Sequence, residues 1–107
     1  MELIADMPEP PYYAVIFSSE RTKGDNDYEQ MADSMMDLAK RQVGFLGVES
    51  ARSELGITVS YWESIEAIKN WQKHPAHQIA QERGKADWYK SYAVRICKVE
   101  SDYFFEK

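Results

Sequence analysis

The heptapeptide YYAVIFS, residues 12–18, is apolar on both parities, with Tyr12, Ala14 and Ile16 alternating with Tyr13, Val15 and Phe17. A strand with one wet face alternates apolar with polar side chains, so a run apolar on both sides predicts a strand covered on both faces. Upstream, Pro8, Pro10 and Pro11 disfavour helix in the residues that precede them, and residues 1–11 are expected to form an extended arm. Downstream, the polar run ERTKGDND with Gly24 predicts a loop.

Beyond that loop the periodicity changes from two to three and four. Tyr28, Met31, Ala32, Met35, Leu38 and Ala39 recur at helical spacing, opposite Glu29, Asp33 and Asp37. An N-cap is expected within residues 25–27, and Lys40 and Arg41 suit the last turn. Near Gly44 the helix ends, and FLGVESAR (45–52) reads as a strand whose internal glycine marks a bulge. A short turn at 53–56 joins it to ITVSYW (57–62) as a hairpin. Ser64 is the expected N-cap of a second helix bearing Ile65, Ile68 and Trp71 on one face. Pro75 interrupts this helix, and a further helical piece carries Ile79 and Ala80 inward. Gly84 ends it, residues 87–91 form a turn or short helix, and a last strand is expected from Tyr92 to about Phe105. The order strand, helix, strand, strand, helix, strand predicts an α+β, ferredoxin-like βαββαβ fold. Its four-stranded antiparallel sheet carries both helices on one face. Residues 12–107 are assigned to this domain and residues 1–11 to the arm.

Whichever sheet face is left uncovered carries apolar residues, since Tyr12, Ala14 and Ile16 oppose Tyr13, Val15 and Phe17, and Trp62 opposes Ile57, Val59 and Tyr61. Apolar residues on both sides of these strands call for a cover, and a homodimer related by a two-fold axis is the expected one. The block Tyr103-Phe104-Phe105 and the arm are expected to reach the partner. The alternative is a face covered by the chain's own arm.

Composition narrows the function. At 107 residues the chain suits one core, and its 18 acidic against 13 basic residues give a net charge of −5. Such a surface repels phosphate backbones and no basic stripe appears, so nucleic acid is excluded as an expected partner. No apolar run approaches a bilayer's span and the start does not read as a signal peptide, so a soluble, cytoplasmic protein without a membrane partner is expected. Phosphate-binding glycine loops, nucleophile elbows and zinc-spaced cysteines are missing. The single cysteine, Cys97, lies mid-strand and reads as a buried structural residue. His74 and His77 are three apart, but Pro75 stands between them and no carboxylate or thiol completes a ligand set. They are read as capping or surface residues, and no metal site is expected.

Nine of the fourteen aromatics follow residue 60. A small domain cannot bury them all in a solid core, which points to a pocket beside the second helix for a small hydrophobic or aromatic molecule. The polar groups expected there are His77 and Gln81, one helical turn apart, and Arg95.

The stretch from Ser60 to Ser101 resembles the antibiotic biosynthesis monooxygenase family. The likeness rests on Tyr61-Trp62 closing strand three, Ser64 opening the helix, and Trp71, Pro75, His77 and Ala80 following. Gly84, Trp88-Tyr89, Arg95 and the upstream Gly44-Phe45 and Glu49-Ser50 complete it. The resemblance implies a dimeric α/β barrel and a cofactor-free monooxygenase acting with O₂ on a small aromatic or quinone-like compound. Tyr61, Trp62, Trp71, Gln81, Trp88 and Tyr92 would line the pocket, with His77 and Arg95 assisting a developing phenolate. Heme-degrading members carry an axial histidine where this sequence has Gln81, and a strand-one asparagine that residues 12–18 lack. Trp71 does match their tryptophan; with two of those three residues missing, heme is not the expected cofactor, and a heme-binding or heme-degrading relative stays an alternative only if His77 substitutes for the axial histidine. A dimer that binds a hydrophobic ligand without turnover is the alternative from another class.

Overall fold

The structure, a computed structural model, describes residues 3–107. Its elements are β1 (Tyr12–Arg21), α1 (Tyr28–Lys40), β2 (Phe45–Arg52), β3 (Gly56–Trp62), α2 (Ile65–Lys73), α3 (Pro75–Arg83), a π-helical turn (Gly84–Trp88) and β4 (Tyr89–Val99). The sheet runs β2-β3-β1-β4, with β1 antiparallel to both β3 and β4. This is the ferredoxin-like arrangement. The strand that is apolar on both parities lies inside the sheet, with a neighbour on each edge.

Register decides which side chains meet. Val15 pairs with Ser60 and with Ile96, while Phe17 pairs with Thr58 and with Val94. These residues face the helices, as does Trp62, the partner of Tyr13. On that side Trp62, Ala67 and Ile68 form the buried core, with Tyr13, Val15, Phe45, Ile65 and Trp71 packed against it. Trp62 is 1% exposed and its indole N–H donates to Ser60 Oγ at 3.0 Å, so its polar edge is satisfied inside the core.

Local chemistry explains the joints. Ser64 Oγ accepts from the Ala67 N–H at 3.0 Å and starts α2 as expected. Pro75 disfavours helical geometry at His74, which sits at φ −60°, ψ 130° and serves as both the end of α2 and the N-cap of α3. Its Nδ1 accepts from the Ala76 N–H at 3.1 Å. Gly44, at φ +88°, takes the left-handed turn into β2, where an added Cβ would stand 2.6 Å from that of Ala67. The bulge expected in β2 falls between Phe45 and Gly47.

The start of α1 falls within the expected residues 25–27: Asn26 and Asp27 both have positive φ, and Asp25 Oδ1 accepts from the Glu29 N–H at 3.3 Å. Three expectations are corrected. Ile79, expected inward on α3, is exposed. The last strand begins at Tyr89 and ends at Val99, not near Phe105. Val99 pairs with Tyr12, and the next position on β1 is Pro11, which has no N–H to continue the ladder. Cys97 is exposed, not buried, because it pairs with Ala14 on the sheet face that carries no helix.

That outer face is partly covered by the chain's own ends. The Ala5 N–H donates to Glu49 Oε2 at 3.1 Å, and Ala5 and Met7 lie against Gly47, where a Cβ would come within 2.9 Å of each. From the other end, Tyr12 O–H donates to Asp102. Ile57 on the same face stays 40% exposed. No helix among the described residues is long and apolar enough to cross a membrane.

Candidate functional site

Between the helices and the sheet lies a cavity of about 260 Å³. Val15, Phe17, Thr58, Ser60 and Trp62 supply its sheet side. Met31, Met35 and Met36 of α1, with Ile68 and Trp71 of α2, supply the helix side. His77 and Gln81 enter from α3, and Tyr28, Trp88 and Tyr89 line a further wall. Tyr92 and Val94 of β4, about two-fifths exposed, mark where the cavity meets solvent. Aromatic and thioether walls with a few polar groups make a site for a flat, apolar molecule.

His77 is the chemically distinctive member. Its ring stacks on Trp71 with centroids 4.5 Å apart and planes inclined by 19°, and Trp71 in turn stacks with Trp62 at 6.5 Å. The kink at His74-Pro75 starts a new helix whose first turn carries this imidazole back to the end of α2. His77 Nδ1 is buried and makes no hydrogen bond. Burial lowers the ring's pKa below its ordinary 6.5; the backbone of Trp71 works the other way, and His74 adds to the lowering. A neutral imidazole with an unused nitrogen is a proton acceptor in search of a donor.

At the Tyr28–Tyr89 wall, the Tyr89 hydroxyl donates to that of Tyr28 at 3.4 Å. Burial, followed by the bond to Tyr28, holds the Tyr89 phenol above its ordinary range. Trp88 is anchored there by its indole N–H, which donates to the Asn26 carbonyl at 2.9 Å.

Of the residues expected at the site, Trp62, Trp71, His77, Gln81, Trp88 and Tyr92 line this one cavity. Tyr61 and Arg95 do not. Tyr61 pairs with Ala14 on the outer face, donates to Glu49 Oε1 at 2.6 Å and packs edge-on against Tyr12. Arg95 pairs with Ile16 and is exposed on that same face. Successive strand residues point to opposite faces, so Tyr61 and Trp62 cannot both reach the helix side. The structure adds Phe17, Tyr28, Tyr89 and the α1 methionines to the wall. Their helical spacing was visible in α1, but the same stripe serves a solid core equally well. Among the described residues no three of His, Cys, Asp and Glu converge on a point that would hold a metal ion.

The model of the antibiotic biosynthesis monooxygenase family matches residues 11–83, which contain β1, the core and the Trp71–His77 pair. The chain belongs to this family. A relative of 50% identity, the uncharacterized protein YqjZ of Bacillus subtilis, aligns with all of the chain and 96% of its own length. Among solved structures, SO0527 from Shewanella oneidensis superposes with a TM-score of 0.75 at 13% identity, over 92% of this chain and all of that one. A mutant of SnoaB from Streptomyces nogalater, described as a cofactor-independent oxygenase, gives 0.74 at 10% identity, over 85% of this chain and 95% of that one. At such identities these two structures show a shared fold.

Proposed function

We propose that the protein is a cofactor-independent monooxygenase that oxidises a small aromatic or quinone-like compound in the cavity, working as a homodimer. The observation that carries the reading is the buried, unpartnered Nδ1 of a neutral His77 stacked on Trp71 in an apolar pocket. Such an imidazole takes the acidic proton of a bound phenol or anthrone and leaves an electron-rich anion between aromatic walls. For an anthrone-like CH₂ group the balance closes on substrate and O₂ alone. The carbon gives up two hydrogens and becomes C=O, one oxygen atom is retained, and the other leaves as water. Family membership and the fold shared with a cofactor-independent oxygenase support this reaction class. The lining residues do not fit heme. The cavity falls below the volume of drug-sized sites, and Gln81 offers an amide where an axial imidazole would be needed.

Oxygen uptake by purified protein with a panel of anthrones and hydroquinones tests this. Consumption above the buffer rate is expected for at least one class, falling about a hundredfold in His77→Phe. Uptake equal to buffer throughout, with the same compounds still binding, would replace the enzyme with a binding protein.

A further inference from the structure

We propose that the ligand of this cavity is an aromatic anion, a small ring system bearing a carboxylate, whose charged group sits at the Tyr28–Tyr89 wall near the guanidiniums of Arg21 and Arg52. The inference rests on the cavity being the ligand site and adds the class of molecule it takes.

Two cations converge on this wall. The guanidinium carbon of Arg21 lies 3.5 Å from the centroid of the Tyr28 ring. Its nitrogens donate to the carbonyls of Trp88 at 3.0 Å, Gly24 at 3.2 Å and Asp25 at 3.4 Å. Arg52 reaches across β3 to donate to Ser19, through both the hydroxyl and the carbonyl. It passes over Gly56, where any Cβ would strike the guanidinium. Ser19 is 1% exposed and sits on β1 between Phe17 and Arg21, with the Phe17 ring 5.3 Å from that of Tyr89. Both guanidiniums act electrostatically on the Tyr89 hydroxyl.

Every acceptor these two arginines use is neutral, and among the described residues neither forms an ion pair with a carboxylate. Arg83, close by, shows the contrast: it pairs with Asp27 at 3.4 Å and Asp87 at 3.0 Å. In a chain of net charge −5, two guanidiniums that pair with no carboxylate among the described residues leave positive charge near this wall. The hydroxyls match it. Tyr89 gives its hydrogen to Tyr28, and the Tyr28 hydrogen has no acceptor among the described residues. The Tyr28 hydroxyl is therefore free to donate to a ligand, and a carboxylate is a strong acceptor for it. At the other end Trp62, Trp71 and His77 present flat faces to a ring. The volume of about 260 Å³ suits a small aromatic ring system.

The test is a binding measurement, independent of turnover. Trp62, Trp71 and Trp88 line the cavity, so quenching of tryptophan fluorescence reports occupancy. Titration with 2-naphthoate and with neutral 2-naphthamide near neutral pH should show the acid binding about tenfold more tightly. The preference should shrink with added salt, survive in Arg52→Lys and approach parity in Arg52→Met. An unchanged amide affinity reports that the cavity of Arg52→Met is intact. Tyr28→Phe, which keeps the ring beneath Arg21 and removes the donor, should also weaken the acid selectively. Equal binding of acid and amide by the native protein would overturn the proposal and leave the pocket assignment standing. An undiminished preference in both Arg52→Met and Tyr28→Phe would overturn it too, and failure of both probes to bind would remove pocket and proposal together.

Discussion

His77 couples the chemistry of the site to the stability of the fold. Burial holds its pKa below 6.5, so the unfolded chain binds its proton more readily than the folded one. Above 6.5 both states are neutral and the residue adds no pH dependence. As pH falls from 6.5 toward the folded value, the unfolded state gains protons first and the protein loses stability. Urea unfolding across this window should therefore show native stability falling with acid, and His77→Phe should flatten that part of the curve. Superimposable curves would remove the buried, neutral imidazole from the account. The same residue shows how far side-chain roles could be read in advance. His77, Gln81, Trp62, Trp71, Trp88 and Tyr92 were legible because helix spacing and the aromatic surplus point to one place. Tyr61 and Arg95 were misplaced because alternation gives two faces without saying which one the helices cover. Arg52 carried no signal at all, since its position depends on reaching across a neighbouring strand.

Among the elements, α2 and its junctions set the site, and two substitutions separate their contributions. Ser64→Ala removes the one side-chain bond to the first turn of α2 and should cost about 1 kcal/mol in urea unfolding. Gly44→Ala should cost more than about 1 kcal/mol, because φ of +88° is poor for alanine and the new methyl would meet Ala67 at 2.6 Å. A Gly44→Ala protein as stable as the native one would mean that the turn relaxes freely. The start of α2 was legible because Ser64 caps locally, and the break at Pro75 because proline constrains its own neighbour. The start of α1 was legible to within residues 25–27, where Asp25 accepts from Glu29, but the left-handed backbone of Asn26 and Asp27 was not. The end of β4 was not legible from its own residues either. It is set by Pro11, which precedes it by most of the chain and meets it only in the sheet.

On the scale of the whole molecule, the proposed homodimer turns on the outer sheet face. Ile57 and Cys97 remain exposed there, and Tyr103 and Phe105 at the end of the chain are 94% and 79% exposed. Light scattering should give twice the mass of the chain, and a monomer at every concentration would overturn the homodimer. Cys97 offers a second measurement: its reaction with a thiol reagent should be slow in concentrated protein and quicken on dilution. The four-stranded fold was legible from the order of elements, whereas the way both chain ends return to the outer face through Glu49 and Asp102 was not. Those contacts depend on single polar atoms and leave no period in the sequence.

The placement of β1 also has a consequence in time. It is made before the other strands of the sheet, yet one of its two neighbours, β4, follows only after three helices and a hairpin, and Tyr12 must wait for Val99. Throughout synthesis a strand apolar on both sides keeps an open edge, which invites pairing with other nascent chains. Closing so long a loop also slows refolding relative to a protein built from local contacts. A circular permutant that makes β4 immediately before β1 should refold faster and yield more soluble protein.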